Sequence, residues 1–254
     1  MEPVSSILQN HQTSPQKREC HRCDNGILDG EVYCTISGLN RRQFCECLFG
    51  QKAKAQWLKS DLAQRAIKQQ KQREINAALA ISNIPKIWSG KSVECLASTK
   101  LRQIVLDHLR QSSENTANHQ GLYLCSKDSD VGKTQALSIL CQEIIKRFQR
   151  PCVFLTEEEL FEQIKASFDA EEKILHKIKN IDCLFIDDLG AARITPWKIS
   201  QLTNLLDYRL SNMLPTFFSS NYNLADYINH LAQVTDRPNR IPARIARGAK
   251  IIEL

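Results

Sequence analysis

From about residue 99 onward the apolar positions of the chain follow two alternating rhythms. Short apolar runs at 122–125, 152–155, 183–186, 216–219 and 250–254 have the length and the aromatic or branched content of buried strands. Between them, Leu137, Leu140, Cys141, Ile144 and Phe148 recur at the i, i+3, i+4 spacing of one helical face, on a helix expected to begin near Lys133. The same reading predicts a helix over about 99–109, more than one helix through 157–178, a helix over about 196–211, short helices up to about 246, and a polar loop at 111–120. Five strands alternating with helices imply an α/β fold, a parallel sheet covered by helices on both faces.

The first third of the chain has a different pattern. Residues 1–16 read as a flexible arm, and 17–50 as a small, Cys-rich, turn-rich unit too short to have a core of its own. Residues 51–73 carry seven Lys/Arg, one Asp and six Gln with no Gly or Pro, which predicts one basic helix with an apolar stripe at Trp57, Leu58, Leu62 and Ala66. The segment 82–90, with Asn83, Ile84 and Pro85, interrupts the helical pattern and is taken as the domain boundary. The expected division is an arm at 1–16, a unit for docking a partner at 17–80, and the α/β domain at 81–254.

Composition narrows the classes. The chain has 254 residues, 42% hydrophobic and 24% charged, enough for one large or two modest domains. Its apolar runs fall well short of the roughly 20 residues that span a bilayer, and residues 1–16 lack the features of a secretory signal. A cytoplasmic protein with no membrane partner is expected. The net charge of +6 is too mild by itself to argue for nucleic-acid binding. Ten cysteines in that compartment read as thiols or metal ligands before disulfides. Cys95, Cys125, Cys141, Cys152 and Cys183 lie in apolar segments and read as buried core residues.

Candidate chemistry sits at the ends of the predicted strands. Residues 126–134, Ser-Lys-Asp-Ser-Asp-Val-Gly-Lys-Thr, fall between the first strand and the helix near Lys133, where a phosphate-binding loop belongs. There Asp130, Val131, Gly132, Lys133, Thr134 and Gln135 would line an ATP phosphate site, with Lys133 on the β/γ-phosphates and Thr134 on Mg²⁺. The pattern departs from the usual one at Lys127, in place of the first Gly, and at Asp130, whose carboxylate would repel a triphosphate unless it turned outward. A second element is the buried strand ending in Asp187 and Asp188, a Walker B arrangement: Asp187 for the Mg²⁺ shell, Asp188 to orient or deprotonate the attacking water. Asn221, ending an otherwise apolar strand, is a candidate to position that water. Arg240 and Arg244, four apart on one helical face, are candidates for an arginine finger offered to a neighbouring subunit.

Taken together, residues 121–124, the Gly-Lys-Thr, 186–191, 208–221 and 240–245 resemble the AAA+ ATPases of the bacterial replicative helicase loader family, the DnaC and DnaI type, and the related transposition helper ATPases of the IstB type. The resemblance covers about residues 80 to 254. It implies a P-loop, AAA+/RecA-like fold and Arg244 as the finger with Arg240 beside it. The sequence ends just after the fifth strand, which gives the expectation of no C-terminal helical lid and of weak or partner-stimulated hydrolysis.

The Cys-rich start also resembles that family's N-terminal zinc domain. Cys20 and Cys23, then Cys45 and Cys47, can close a tetrahedral Zn²⁺ site that stands in for the missing core, with Cys34 or His21 as the substitute ligand. The function so implied is a nucleotide-switched loader of a replicative DNA helicase that contacts single-stranded DNA and self-associates through the AAA+ interface. The alternatives are a transposition helper ATPase and a non-hydrolysing adaptor with a degenerate P-loop.

Overall fold

A computed structural model describes residues 27–34, 39–44, 48–114, 120–169 and 173–254. The described residues form two compact units, one up to Gln72 and one from Arg73. Cys20, Cys23, Cys45 and Cys47, and the arm at 1–16, lie outside the described residues. Among the described residues no group of three or more His, Cys, Asp and Glu is gathered as a metal site, and no helix is long and apolar enough to cross a membrane.

In the first unit, β1 (Ile27–Cys34) and β2 (Leu39–Phe44) pair antiparallel, with a register shift between Ile27 and Glu31. The single basic helix of the sequence reading is two helices, α1 (Leu48–Leu58) and α2 (Asp61–Ile81). Ser60 explains the break: its hydroxyl accepts from the Ala63 N–H (3.3 Å) and donates to the Trp57 carbonyl (2.6 Å), capping a new helix start. The expected apolar stripe is not buried. Leu62 is 74% exposed, whereas Ala63 beside it is fully buried.

The division between the units falls within α2, and beyond it the second unit is an α/β domain. In chain order come α3 (Thr99–Glu114), β3 (Gly121–Cys125), α4 (Lys133–Phe148), β4 (Cys152–Thr156), α5 (Glu157–Asp169) and α6 (Lys173–Asn180). They are followed by β5 (Cys183–Leu189), α7 (Pro196–Ser211), β6 (Thr216–Ser220), α8 (Leu224–Ala232), α9 (Arg240–Gly248) and β7 (Ala249–Glu253). The five strands are all parallel, as the alternation predicts, and lie in the order β4-β5-β6-β3-β7. α3 runs past the expected end at 109 and takes up the first part of the expected loop. The helices expected through 157–178 are α5 and α6, the second running on to Asn180.

Alternation along each strand divides the core in two. Leu122, Leu124, Phe154, Phe185 and Phe217 point to the face covered by α3 and α4. Tyr123, Cys125, Leu155, Leu184, Ile186 and Phe218 point to the face covered by helices from α5 to α9. Phe185 and Phe217 stack at 4.3 Å between ring centres across neighbouring strands. Cys125, Cys141, Cys152 and Cys183 are buried as expected, but Cys95 is exposed, in a short 3₁₀ turn ahead of α3.

The helix-breaking segment 82–90 is bonded into this second unit. The Ser82 carbonyl accepts from Phe154 N (2.8 Å) and the Asn83 amide donates to the Phe154 carbonyl (3.1 Å), which satisfies part of the outer edge of β4. Gln142 on α4 accepts from Gly90 N (2.7 Å) and donates to the Trp88 carbonyl (2.9 Å).

Candidate functional site

At the C-terminal end of β3 the chain turns through 126–132 and enters α4 at Lys133. The turn needs left-handed backbone twice: Asp130 has φ +61° and Gly132, the N-cap of α4, has φ +92°. A Cβ on Gly132 would also come within 3.2 Å of Leu101 Cδ1. Asp130 is exposed, and Val131 is half-buried. Lys127 is drawn out to α8, where its ammonium lies 3.1 Å from Asp226 Oδ2. Gln135 donates to the Cys95 carbonyl (3.1 Å) and ties the first turn of α4 to the segment before α3.

Lys133 is only 6% exposed. Its ammonium donates to the carbonyls of Ser126 (3.3 Å) and Asp128 (2.9 Å), so the loop curls around the cation. Burial pulls its pKa below the ordinary lysine value, and the nearby charges of Asp188 and Asp187 oppose that pull. The first-turn N–H groups and positive end of α4, with this cation beside them, make a corner whose electrostatics suit an anion.

The sequence reading ends β5 at Ile186, but the strand runs on to Leu189 and carries both acidic residues within it. Pairing with β6 shifts register between Ile186 and Leu189, and Asp188 there adopts φ +53°. The bulge separates the two carboxylates: Asp187 is buried and Asp188 is exposed. The Thr134 hydroxyl donates to Asp187 Oδ1 at 3.0 Å, joining the start of α4 to β5. Burial raises the Asp187 pKa and the charge of Asp188 adds to that, while hydrogen bonds from Ser219 and Thr134 counter it. A hydroxyl and a carboxylate in contact are hard oxygen donors of the kind that hold Mg²⁺.

Three residues that the sequence reading did not single out fix this corner. Ser219, fully buried, donates to Asp187 Oδ1 and accepts from the Asp188 N–H (2.9 Å), so one hydroxyl sets both acidic residues. Ser220 donates to the Leu189 carbonyl (2.6 Å) and accepts from Tyr222 N (3.0 Å). Glu157, buried at the start of α5, accepts from the N–H groups of Gly190 (2.9 Å) and Ala192 (3.2 Å) and anchors the segment after β5. The two serines were visible as polar residues inside an apolar run. Glu157 carried no signal, since acidic residues at a helix start are commonplace.

Asn221 is exposed and follows directly on β6, at the same sheet edge as Ser126 and Asp187. Lys133, Thr134, Asp187, Asp188 and Asn221 therefore share one end of the sheet. Arg240 and Arg244 do not. α9 leads into Ala249, which pairs with Gly121 at the beginning of β3, and so lies toward the opposite end. There Arg244 lines an open cavity of about 410 Å³ with Arg209, Thr216, Arg247 and Gly248. Arg240 is exposed, and Arg244 is bonded to Asp207 of α7.

No family profile matches the chain. Over 149 residues it is 32% identical to the replicative helicase loader DnaI of Bacillus subtilis, covering 57% of this chain and 46% of that protein. Over 137 residues it is 24% identical to the replicative helicase loader DnaC of Escherichia coli strain K12, covering 52% of this chain and 56% of that one. The match thus spans about half the length of these relatives. A crystal structure of DnaI superposes with a TM-score of 0.57 at 28% identity, covering 67% of this chain and 94% of that one. AMPPCP-bound DnaA from Aquifex aeolicus shares the fold at a TM-score of 0.54 and 14% identity, over 68% of this chain and 51% of that one. Through its α/β domain the chain is similar in sequence and fold to the bacterial replicative helicase loaders of the DnaI and DnaC type.

Proposed function

We propose that the chain is an ATP-switched loader of a replicative DNA helicase, which holds the helicase through its N-terminal unit and contacts single-stranded DNA. The observation that carries the switch is the meeting of Lys133, Thr134 and Asp187 at one sheet edge, with Thr134 and Asp187 in direct contact. The helicase as partner rests on the likeness to the DnaI and DnaC loaders.

The residues present fit a magnesium nucleotide. Lys133 is a buried cation with only carbonyl oxygens as hydrogen-bond partners, and it stands beside two acidic residues and a hydroxyl. Lys133 and the N–H groups from Gly132 onward would hold the phosphates, and Thr134 and Asp187 the Mg²⁺. Bound there, Mg-ATP would supply the phosphoryl group whose hydrolysis resets the switch. Asp188, exposed on its bulge, would accept a proton from water, and Asn221 would orient that water. The Ser219 hydrogen bond favours the charged form of Asp187 against the pull of burial and fixes the backbone of Asp188. Arg244 faces away from this edge and would act on the nucleotide of a neighbouring copy, with Arg240 beside it. Cys20, Cys23, Cys45 and Cys47 would hold the Zn²⁺ of the docking unit.

The test is capture of the host's replicative helicase by the full-length chain, with and without ATP, against capture of a transposase. Nucleotide-sensitive capture of the helicase supports the loader. Capture of the transposase alone replaces it with the helper ATPase. Absence of ATP binding in an equilibrium titration leaves the adaptor.

A further inference from the structure

Arg244 meets the carboxylate of Asp207, which no sequence motif marks, and two anchored helices bring them together. Asp207 lies on α7, 37 residues earlier in the chain. The end of α7 is held by Arg209, whose buried guanidinium donates to Thr216 Oγ1 (2.9 Å) and to the carbonyls of Ile178 (3.2 Å), Lys179 (3.1 Å), Ile181 (2.9 Å) and Pro215 (2.8 Å). α9 is seated by buried Ile241 and Ile245. The two helices approach so closely at Gly248 that an added Cβ would stand 2.7 Å from Leu210 Cδ2. Both partners of the pair therefore stand on anchored helices.

The pairing is bidentate and side-on. Arg244 Nε donates to Asp207 Oδ1 (2.6 Å) and Nη2 to Oδ2 (2.7 Å), while Nη1 donates to the Arg240 carbonyl (2.5 Å). These contacts use three of the five N–H groups of the guanidinium and leave its outer edge for another anion. Arg244 is 18% exposed and borders the open cavity at this end of the sheet. Arg240 and Arg247 stand near the same carboxylate and, with Arg244, hold its pKa below the ordinary range. Three cations around one carboxylate keep the patch positive, so Asp207 orients Arg244 without cancelling its attraction for phosphate.

We propose that Asp207 is a positioning residue: it grips Arg244 side-on and presents the outer guanidinium edge, already oriented, to the phosphates bound by a second copy of this chain. The proposal rests on the reading of Arg244 as a finger acting between subunits. An arginine free to sample its rotamers would lose that freedom on reaching the neighbouring site, and the Asp207 grip removes that loss beforehand. Catalysis by a charged side chain is also sensitive to misplacement of about an ångström.

Subunit mixing separates the two ideas. Full-length Lys133→Ala lacks its own site but keeps its finger, and Arg244→Ala keeps its site but lacks the finger. An equimolar mixture should hydrolyse ATP well above either alone. Replacing the finger donor by Lys133→Ala/Asp207→Ala, or by the isosteric Lys133→Ala/Asp207→Asn, should cut that regained rate by about tenfold. Asp207→Glu in the donor should restore part of it. Single Asp207→Ala and Asp207→Asn chains should keep the ATP affinity of the isolated subunit and its melting temperature. Full complementation by both Asp207 donors overturns the positioning role. Failure of the parent mixture, wild-type activity in Arg244→Ala, or a wild type that neither hydrolyses nor assembles with ATP overturns the finger reading, and the role of Asp207 falls with it.

Discussion

Thr134 Oγ1 stands 3.0 Å from Asp187 Oδ1, although 53 residues separate them. The contact closes a corner whose other wall is the Lys133 ammonium, curled onto the loop carbonyls. Lys133→Ala should therefore abolish nucleotide binding. Asp130→Gly should tighten it severalfold, because an exposed carboxylate at φ +61° gives way to a residue at home in that conformation and without charge. Calorimetric titration of ATP with Mg²⁺ on the three proteins checks both. Unchanged affinity in Lys133→Ala would move the nucleotide site elsewhere.

Ser219 holds both acidic residues with one buried hydroxyl. In Ser219→Ala the Asp188 N–H loses its acceptor and Asp187 loses a donor. Stability should fall by about 1–3 kcal/mol in urea titrations. Hydrolysis should fall by more than ATP affinity does, since the hydroxyl fixes Asp188. Equal losses in both would assign Ser219 to binding alone.

The strands were legible because parallel strands buried on both faces read as unbroken apolar runs, and each expected run falls largely within a strand. Their ends were misjudged where the chemistry begins: Thr156, Asp187, Asp188 and Ser220 are polar, so the apolar count stops short although the ladder continues. The Gly-Lys-Thr and the Asp pair stood out because their residue types are uncommon in that setting. Asp207 did not, because a carboxylate on a helix face looks the same whether it meets water or an arginine 37 residues away. The break between α1 and α2 was hidden for a related reason. Ser60 ends one helix and caps the next with no Gly or Pro to mark it.

Arg209 is a buried cation satisfied by four carbonyls and one hydroxyl, and burial lowers its pKa to about 10, still ionised at neutral pH. Arg209→Met should leave those oxygens without donors and cost about 3–5 kcal/mol. Arg209→Lys should recover little, because an ammonium cannot span acceptors that a planar fork reaches. Urea denaturation of the two variants tests this, and a loss under about 1 kcal/mol in both would show that the loops hold without the clamp.

His108 links stability to pH. It is 6% exposed, its ring set edge-on to Phe217 at 5.3 Å, and burial pushes its pKa from 6.5 down to about 4, with the charges of Lys250 and Arg150 adding to the shift. Between those two values the unfolded chain binds the proton and the folded chain does not, so the unfolded state gains as pH falls. The contribution of His108 is therefore complete above about pH 6.5 and is lost progressively toward pH 4, reaching roughly 2 kcal/mol at pH 5. Glu157 and Asp187, whose pKa values burial raises, act in the opposite sense, so the total pH profile does not isolate the histidine. The difference between wild type and His108→Leu does, because the other groups are common to both. Urea unfolding at pH 7.5 and pH 5 should show the wild type losing more stability than His108→Leu by about that amount. Equal losses would mean that the imidazole takes up its proton in the folded state as readily as in the unfolded chain.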